Sequence, residues 1–112
     1  MITVDIPIRT ARGLNSREHH FVRHARNRKE KEAVGWYLRQ RQKPHTPCVI
    51  LLIRIAPSEG LDDDNLQGSL KAVRDAVAEW LGVDDKLRHV VAYEYLQERG
   101  PEWGVRIEWK EQ

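Results

Sequence analysis

The sequence predicts an α+β domain, a two-layer sandwich in which helices cover one face of a mixed β-sheet. Two observations support this prediction. Segments with strand-like and helix-like patterns follow one another in the order β, α, β, α, β, β, and the second helical segment has apolar residues at the spacing of an amphipathic helix. The chain has 112 residues, and a domain contains about 100–200 residues. We therefore expect residues 1–112 to form a single domain.

The first half of the chain contains the long helix and the best strand. Residues 2–8 place isoleucine or valine at every even position, which predicts a strand with one buried face. Asn15 and Ser16 are good cap residues, and residues 16–42 contain no proline, so a helix is predicted there. The segment CVILLIRIA, Cys48–Ala56, is rich in β-branched and aliphatic side chains. We expect it to be a central strand.

The second half begins with an amphipathic helix. Apolar side chains recur with helical spacing over residues 65–81, and Gly82 fits a helix stop. Residues 88–96 and 105–110 alternate again between apolar and polar side chains. The Gly-Pro pair at 100–101 separates these two segments, so the pattern predicts a terminal β-hairpin.

Charge is distributed unevenly along the chain. Residues 1–48 contain 11 Lys and Arg against 4 Asp and Glu, whereas residues 49–112 contain 8 against 13. The first part can meet a polyanion while the second holds a divalent cation, or the two parts can neutralise each other across their packing. The wholly polar residues 26–32 fit either a solvated helical turn or a break in the helix.

Several classes of protein are excluded by composition. The longest aliphatic run, residues 49–53, is far shorter than the roughly 20 residues of a membrane span. The single cysteine, Cys48, excludes an intramolecular disulfide and a zinc site with several cysteines. The amino terminus lacks the pattern of a secretory signal. We therefore expect a cytoplasmic protein with no membrane partner.

An acidic cluster separates the best strand from the amphipathic helix. Three adjacent aspartates at 62–64 repel one another unless a positive group compensates them. Asp64 is placed to cap the helix, and an extended chain would project Asp62 and Asp64 to the same side. Asp84 or Asp85 can supply a third carboxylate. Such a donor set suits Mg²⁺, with Mn²⁺ as a substitute.

Lys71 is the cation that helical geometry brings to this cluster. At 100° per residue, Lys71 faces the same way as Asp64 on the predicted helix. Its side chain can then approach a phosphate that is held by the metal. The alternative is that Lys71 and Asp75 form an ordinary exposed pair four residues apart.

These residues resemble the motifs of the RusA family of Holliday junction resolvases. The similarity comprises D-x-D-N at 62–65, the downstream lysine, the run KAVRDAV at 71–77, and Asp84-Asp85 before a strand. It extends over nearly the whole chain and is specific over residues 57–95. The resemblance implies a RusA-like fold and a homodimeric, Mg²⁺-dependent endonuclease of phage or prophage origin. Such enzymes cut four-way DNA junctions symmetrically.

The resemblance also assigns roles to individual residues. Asp62 and Asp64 look like the first two metal-binding aspartates of the family, and Asp85 looks like the third. Lys71 is similar to the family's catalytic lysine. The family places that lysine four residues after the second aspartate, where this chain has Gly68.

The basic first half fits the same function. Its arginines and lysines can neutralise DNA phosphates without reading sequence, although a solvated helix face would have the same composition. The residues expected to contact DNA are Arg12, Arg17, Arg23, Arg26, Arg28 and Lys29. The four tryptophans can stack on unpaired bases, but core packing is the preferred interpretation. Two alternatives to the nuclease remain, a non-catalytic DNA-binding protein with a degenerate active site and a structural protein whose aspartates only cap a helix.

Overall fold

The computed structural model describes residues 2–10, 20–58, 60–82 and 90–111. In these ranges it contains a four-stranded mixed sheet and three helices, which confirms the α+β fold. The elements in chain order are β1 (Ile2–Ile6), α1 (His20–Leu38), β2 (Cys48–Ala56), α2 (Asp63–Ser69), α3 (Lys71–Leu81), β3 (Val91–Arg99) and β4 (Gly104–Glu111).

Strand β2 occupies an inner position of the sheet, as its composition predicts. The strand order is β1-β4-β2-β3. β2 pairs in parallel with β3, where Cys48 is opposite Val91, and antiparallel with β4, where Cys48 is opposite Glu111. β1 pairs antiparallel with β4. The segment α2 and α3 therefore connects two parallel neighbouring strands, which is the usual role of a helical crossover.

The predicted hairpin between β3 and β4 is wrong, because β2 lies between these strands. The Gly100 N–H donates a hydrogen bond of 3.1 Å to the Ala56 carbonyl oxygen, so the chain passes the end of β2 after it leaves β3. A Cβ at position 100 would lie 2.8 Å from Ile55 Cγ2. Glycine permits this close approach, and β4 then forms on the far side of β2.

The core lies between one face of the sheet and the helices. Alternate residues of β2, namely Cys48, Ile50 and Leu52, belong to the same buried cluster as side chains from all three helices. The rings of Trp80 on α3 and Trp109 on β4 lie 5.3 Å apart in this cluster. The helices therefore cover one face of the sheet in two layers, as predicted.

The amphipathic segment differs in detail from the predicted single helix over residues 65–81. Helix α2 begins two residues earlier, at Asp63, and a turn at Leu70 separates it from α3. The Leu70 N–H donates to both the Leu66 and the Gln67 carbonyl oxygens, at 3.1 and 3.2 Å, which tightens the backbone there. In addition, the buried hydroxyls of Thr10 and Ser69 lie 2.7 Å apart and tie α2 to the segment after β1.

Helix α1 contains the polar residues 26–32, so this stretch is helical rather than a break. Lys31 and Glu79 form an ion pair of 2.7 Å that joins α1 to α3. The helix ends at Leu38, before the prolines, because the chain enters a turn at residues 39–40. Among the described residues, no helix combines the length and the apolar character of a membrane span.

A substitution at Ile107 tests the position of the core. Its side chain is fully buried under the helices, so Ile107→Ala should lower the free energy of unfolding by about 2–5 kcal/mol. Leu96→Ala is the matched control, since Leu96 is 45% exposed on β3 and should change stability by less than about 1 kcal/mol. Urea denaturation measures both. Equal losses in the two variants would contradict the assigned faces of the sheet.

Candidate functional site

The acidic segment begins with a pair of hydrogen bonds to the sheet. The Leu61 N–H donates to Gln97 Oε1 at 2.8 Å, and Gln97 Nε2 donates to the Leu61 carbonyl oxygen at 2.7 Å. A Cβ at position 60 would lie 2.9 Å from Gln97 Cδ, so Gly60 leaves room for this amide. Because Gln97 belongs to β3, the two bonds fix the start of the acidic segment against the sheet.

Asp62 caps α2, whereas the sequence analysis assigned the cap to Asp64. Asp62 has an extended backbone, with φ −68° and ψ 169°, and its Oδ1 accepts a hydrogen bond of 2.9 Å from the Asn65 N–H. Aspartate is a good cap at either position, and the earlier start of the helix selects Asp62. This bond occupies one of the two carboxylate oxygens of Asp62.

Asp64 lies inside the first turn of α2, so the expectation of an extended chain through Asp62 and Asp64 is wrong. Successive helical residues are rotated by about 100°, and the two side chains therefore do not alternate as in a strand. All three aspartates at 62–64 are exposed. The amino-terminal end of the helix carries a partial positive charge that reduces the repulsion among them.

Asp64 and Lys71 line the same open pocket, which has a volume of about 300 Å³. This confirms that the two side chains share a face, as helical geometry predicts, despite the turn at Leu70. The pocket lies between the two helices and β3. Its other lining residues are Gln67, Gly68, Arg74, Asp75 and Tyr95.

The ammonium group of Lys71 is paired with Asp75. Lys71 Nζ lies 3.0 Å from Asp75 Oδ2, and the lysine side chain is 68% exposed. This is the exposed ion pair between residues four apart that the sequence analysis gave as the alternative role of Lys71. Such exposed pairs contribute only about 0.3–0.5 kcal/mol. An anionic ligand in the pocket can therefore attract the ammonium group away from Asp75 at little cost.

Arg74 is a pocket residue that sequence reasoning missed. Arg74 Nη1 donates a hydrogen bond of 2.8 Å to the Tyr95 hydroxyl, and the Arg74 guanidinium lies 4.5 Å from the centre of the Tyr93 ring. Both tyrosines belong to β3. The alternation over residues 88–96 predicts a strand, but nothing in the sequence identifies Arg74 as the partner of its tyrosines. It adds a second positive charge to the pocket.

Asp84 and Asp85 lie outside the described residues, so the third carboxylate stays a prediction. The described chain ends before them at Gly82, whose positive φ of 71° is typical of a helix end at which the chain changes direction.

Carboxylate oxygens are the type of ligand that Mg²⁺ prefers, although the described residues supply only part of the predicted set of ligands. In the described ranges, no three Asp, Glu, His or Cys side chains come together as a metal-binding group. Asp62 retains one carboxylate oxygen outside its cap bond, and Asp64 is exposed at the pocket. Oxygen donors alone suit Mg²⁺, which commonly keeps several waters and binds through one or two carboxylates.

The predicted DNA-binding residues separate into three groups. Arg12 and Arg17 lie outside the described residues. Arg28 and Lys29 are exposed on α1. Arg23 and Arg26 are only partly exposed and interact with other groups of the protein, so they are less available to a phosphate.

A groove between α1 and α3 has a further concentration of basic side chains. Its volume is about 530 Å³, and Trp80 lies at its wall. Lys31 in this groove is paired with Glu79. The other cationic side chains that line it are Arg39, Arg41 and Lys43. Glu32 also lines the groove, but the net charge of the lining remains positive, so the groove suits a polyanion.

The contribution of the Asp62 cap hydrogen bond to stability can be measured separately from that of the Asp62 charge. Asp62→Ala should cost about 0.5–2 kcal/mol of stability, whereas Asp62→Asn should cost less because asparagine caps equally well. Thermal unfolding of both variants measures the difference. Equal destabilisation by the two substitutions would show that the side-chain cap does not hold the start of α2.

The hydrogen bonds between Gln97 and Leu61 can be tested by amide exchange. Gln97→Ala should weaken the protection of the Leu61 amide by about 1 kcal/mol, since one net hydrogen bond contributes that much, and this corresponds to roughly fivefold faster exchange. Glu94→Ala, on an exposed position of the same strand, is the control. Unchanged exchange at Leu61 in the Gln97 variant would mean that the acidic segment is held by other contacts.

No family model, curated protein or solved structure matches this chain. Its fold and the chemistry of its side chains are therefore the basis for a functional proposal.

Proposed function

We propose that this protein is a Mg²⁺-dependent endodeoxyribonuclease that cuts four-way junctions and related branched DNA by phosphodiester hydrolysis. The observation that carries the proposal is the pocket shared by Asp64 and Lys71. In this pocket an exposed carboxylate, which is available to a divalent cation, lies on the same face as an ammonium group that can contact a phosphate. The resemblance of these residues to the RusA motifs supports DNA as the substrate.

The carboxylates of Asp62, Asp64 and Asp85 would hold the metal ion. When bound, Mg²⁺ supplies a more acidic water and neutralises charge on the phosphate oxygens. Lys71 binds the non-bridging or leaving oxygen, where negative charge increases during hydrolysis. Arg74 donates a hydrogen bond to the Tyr95 hydroxyl in the pocket and adds a second positive charge beside the carboxylates of Asp64 and Asp75.

DNA binding is assigned to the basic residues of α1 and of the groove beside Trp80. Exposed Arg28, Lys29, Arg39, Arg41 and Lys43 can each neutralise a backbone phosphate. Symmetric incision of a four-way junction needs two equivalent active sites, which a two-fold homodimer would provide. The proposed setting is the cytoplasm of a bacterial host cell, with a phage or prophage origin for the chain.

A second candidate function is DNA binding without catalysis. The observation that favours it is the state of the lysine: Gly68 occupies the family's usual position, and the substitute, Lys71, is paired with Asp75. In this alternative the fold and the basic surfaces bind junctions, but the pocket does not stabilise the charge that develops during hydrolysis.

Asp64→Asn separates catalysis from DNA binding. With a synthetic four-way junction and Mg²⁺, the wild type should nick symmetrically, and Asp64→Asn should lose cleavage by about 100-fold or more because a metal ligand is removed. Asp63→Asn is the matched control, since it removes the same charge from an adjacent exposed position. Junction binding in EDTA should stay within about twofold for both variants.

The outcome distinguishes the two candidate functions. Cleavage by the wild type that Asp64→Asn retains in full would show that the assigned site is wrong. Tight junction binding in EDTA, without Mg²⁺-dependent nicking by the wild type, would favour the non-catalytic protein. Lys71→Met should slow cleavage without weakening binding, and unchanged rates would remove Lys71 from the active site.

A further inference from the structure

Arg54 is a buried arginine in the central strand. The residue is only 5% exposed, although it lies near the end of β2. Its Nε is buried and has no hydrogen-bond partner. Within the described residues, Arg54 makes no salt bridge with a carboxylate. A buried guanidinium without a counter-charge is unusual, because removing a charge from water is costly unless a partner compensates it.

The contacts of Arg54 add positive charge rather than neutralise it. The Arg54 guanidinium carbon lies 5.4 Å from the centre of the Trp103 ring, and that of Arg9 lies 4.1 Å from the same ring. The ring face attracts both cations. Burial, and then the nearby charge of Arg9, lower the pKa of Arg54. Two arginines therefore share one aromatic ring at the end of the sheet.

Arg54 borders a cavity of about 370 Å³ whose other lining side chains suit an anion. Arg99 adds a second guanidinium, and Ser58 adds a hydroxyl donor. Glu98 also lines the cavity. Its carboxylate lies 3.2 Å from Arg106 Nη1, however, and Arg106, which also pairs with Asp5, compensates part of its charge.

This cavity adjoins the acidic segment. Gly60 and Gln97 line it, and the Gln97 amide is the group that binds Leu61, immediately before Asp62. A ligand beside Arg54 would therefore lie next to the backbone that carries the proposed metal ligands. Chelation of a phosphate oxygen by two guanidinium groups is a common and strong form of anion recognition.

We propose that the cavity formed by Arg54, Arg99 and Ser58 is a binding site for one phosphate of the DNA strand, separate from the phosphate that is cut. The identity of the ligand as DNA rests on the proposed function, whereas the anion site itself does not. In the complex, Arg54 would fix the position of a neighbouring phosphate and so align the strand across Asp62 and Asp64. Arg54 is a positioning residue in this account.

Inorganic phosphate tests the anion site without DNA or metal. In EDTA and at constant ionic strength with chloride, phosphate should raise the melting temperature of the wild type. Arg54→Met should weaken phosphate binding by roughly 30-fold or more, since a buried charged contact is lost. Lys110→Met, which removes an exposed cation from β4 opposite Val49, at the other end of β2, is the matched control and should leave the response unchanged.

Stability without phosphate distinguishes an external anion from an internal counter-charge. A buried charge without a partner can be replaced by an apolar side chain at no cost, so Arg54→Met should unfold at the same temperature as the wild type or higher in chloride alone. A marked fall in that temperature would overturn the proposal. It would mean that a carboxylate of the protein already pairs with Arg54.

Junction binding in EDTA identifies the source of the phosphate. Arg54→Met should weaken binding and reduce the salt dependence of log K by about one, as expected for the loss of one phosphate contact. A phosphate response in the wild type with unchanged junction binding in Arg54→Met would refute the DNA assignment. Failure of Mg²⁺-dependent cleavage would leave the metal-free phosphate result intact, so the two proposals can fail separately.

Discussion

The parallel pairing of β2 with β3 is the constraint on which the rest of the structure depends. Because β3 must start beside Cys48, the first residue of β2, the chain has to travel back along the sheet after it leaves Ala56. Helices α2 and α3 form this crossover connection, in which Leu66, Leu70 and Val73 are buried against the sheet. The amino-terminal end of α2 is thereby fixed beyond the end of β2, a common place for ligands in sheets with parallel strands.

Charges of opposite sign meet at this end of the sheet, but at different depths. Asp62, Asp63 and Asp64 are exposed, whereas Arg54 is buried and Arg74 is partly covered by the tyrosines of β3. Arg54 forms no salt bridge with these aspartates among the described residues. In the proposed function, a divalent cation near the carboxylates and a phosphate near Arg54 would compensate both charges, and a DNA strand bound with Mg²⁺ would supply both.

The sequence predicted those features that depend on local pattern. The aliphatic run of β2, the alternation in β4 and the shared face of Asp64 and Lys71 follow from the periods of strands and helices. The terminal hairpin failed because pairing is a tertiary property: Gly100 bonds to Ala56 and carries the chain past β2. Arg54 was missed because burial of an arginine depends on neighbours, such as Trp103, that are distant in sequence.

The most direct test of the central claim is the position of a bound divalent ion. Crystals soaked with Mn²⁺ in place of Mg²⁺ would locate the ion by its anomalous scattering. The account predicts one ion at the pocket of Asp64 and Lys71, with carboxylate oxygens of Asp62, Asp64 and Asp85 among its ligands. An ion bound elsewhere, or Asp85 directed away from an ion held by Asp64, would contradict the proposed active site.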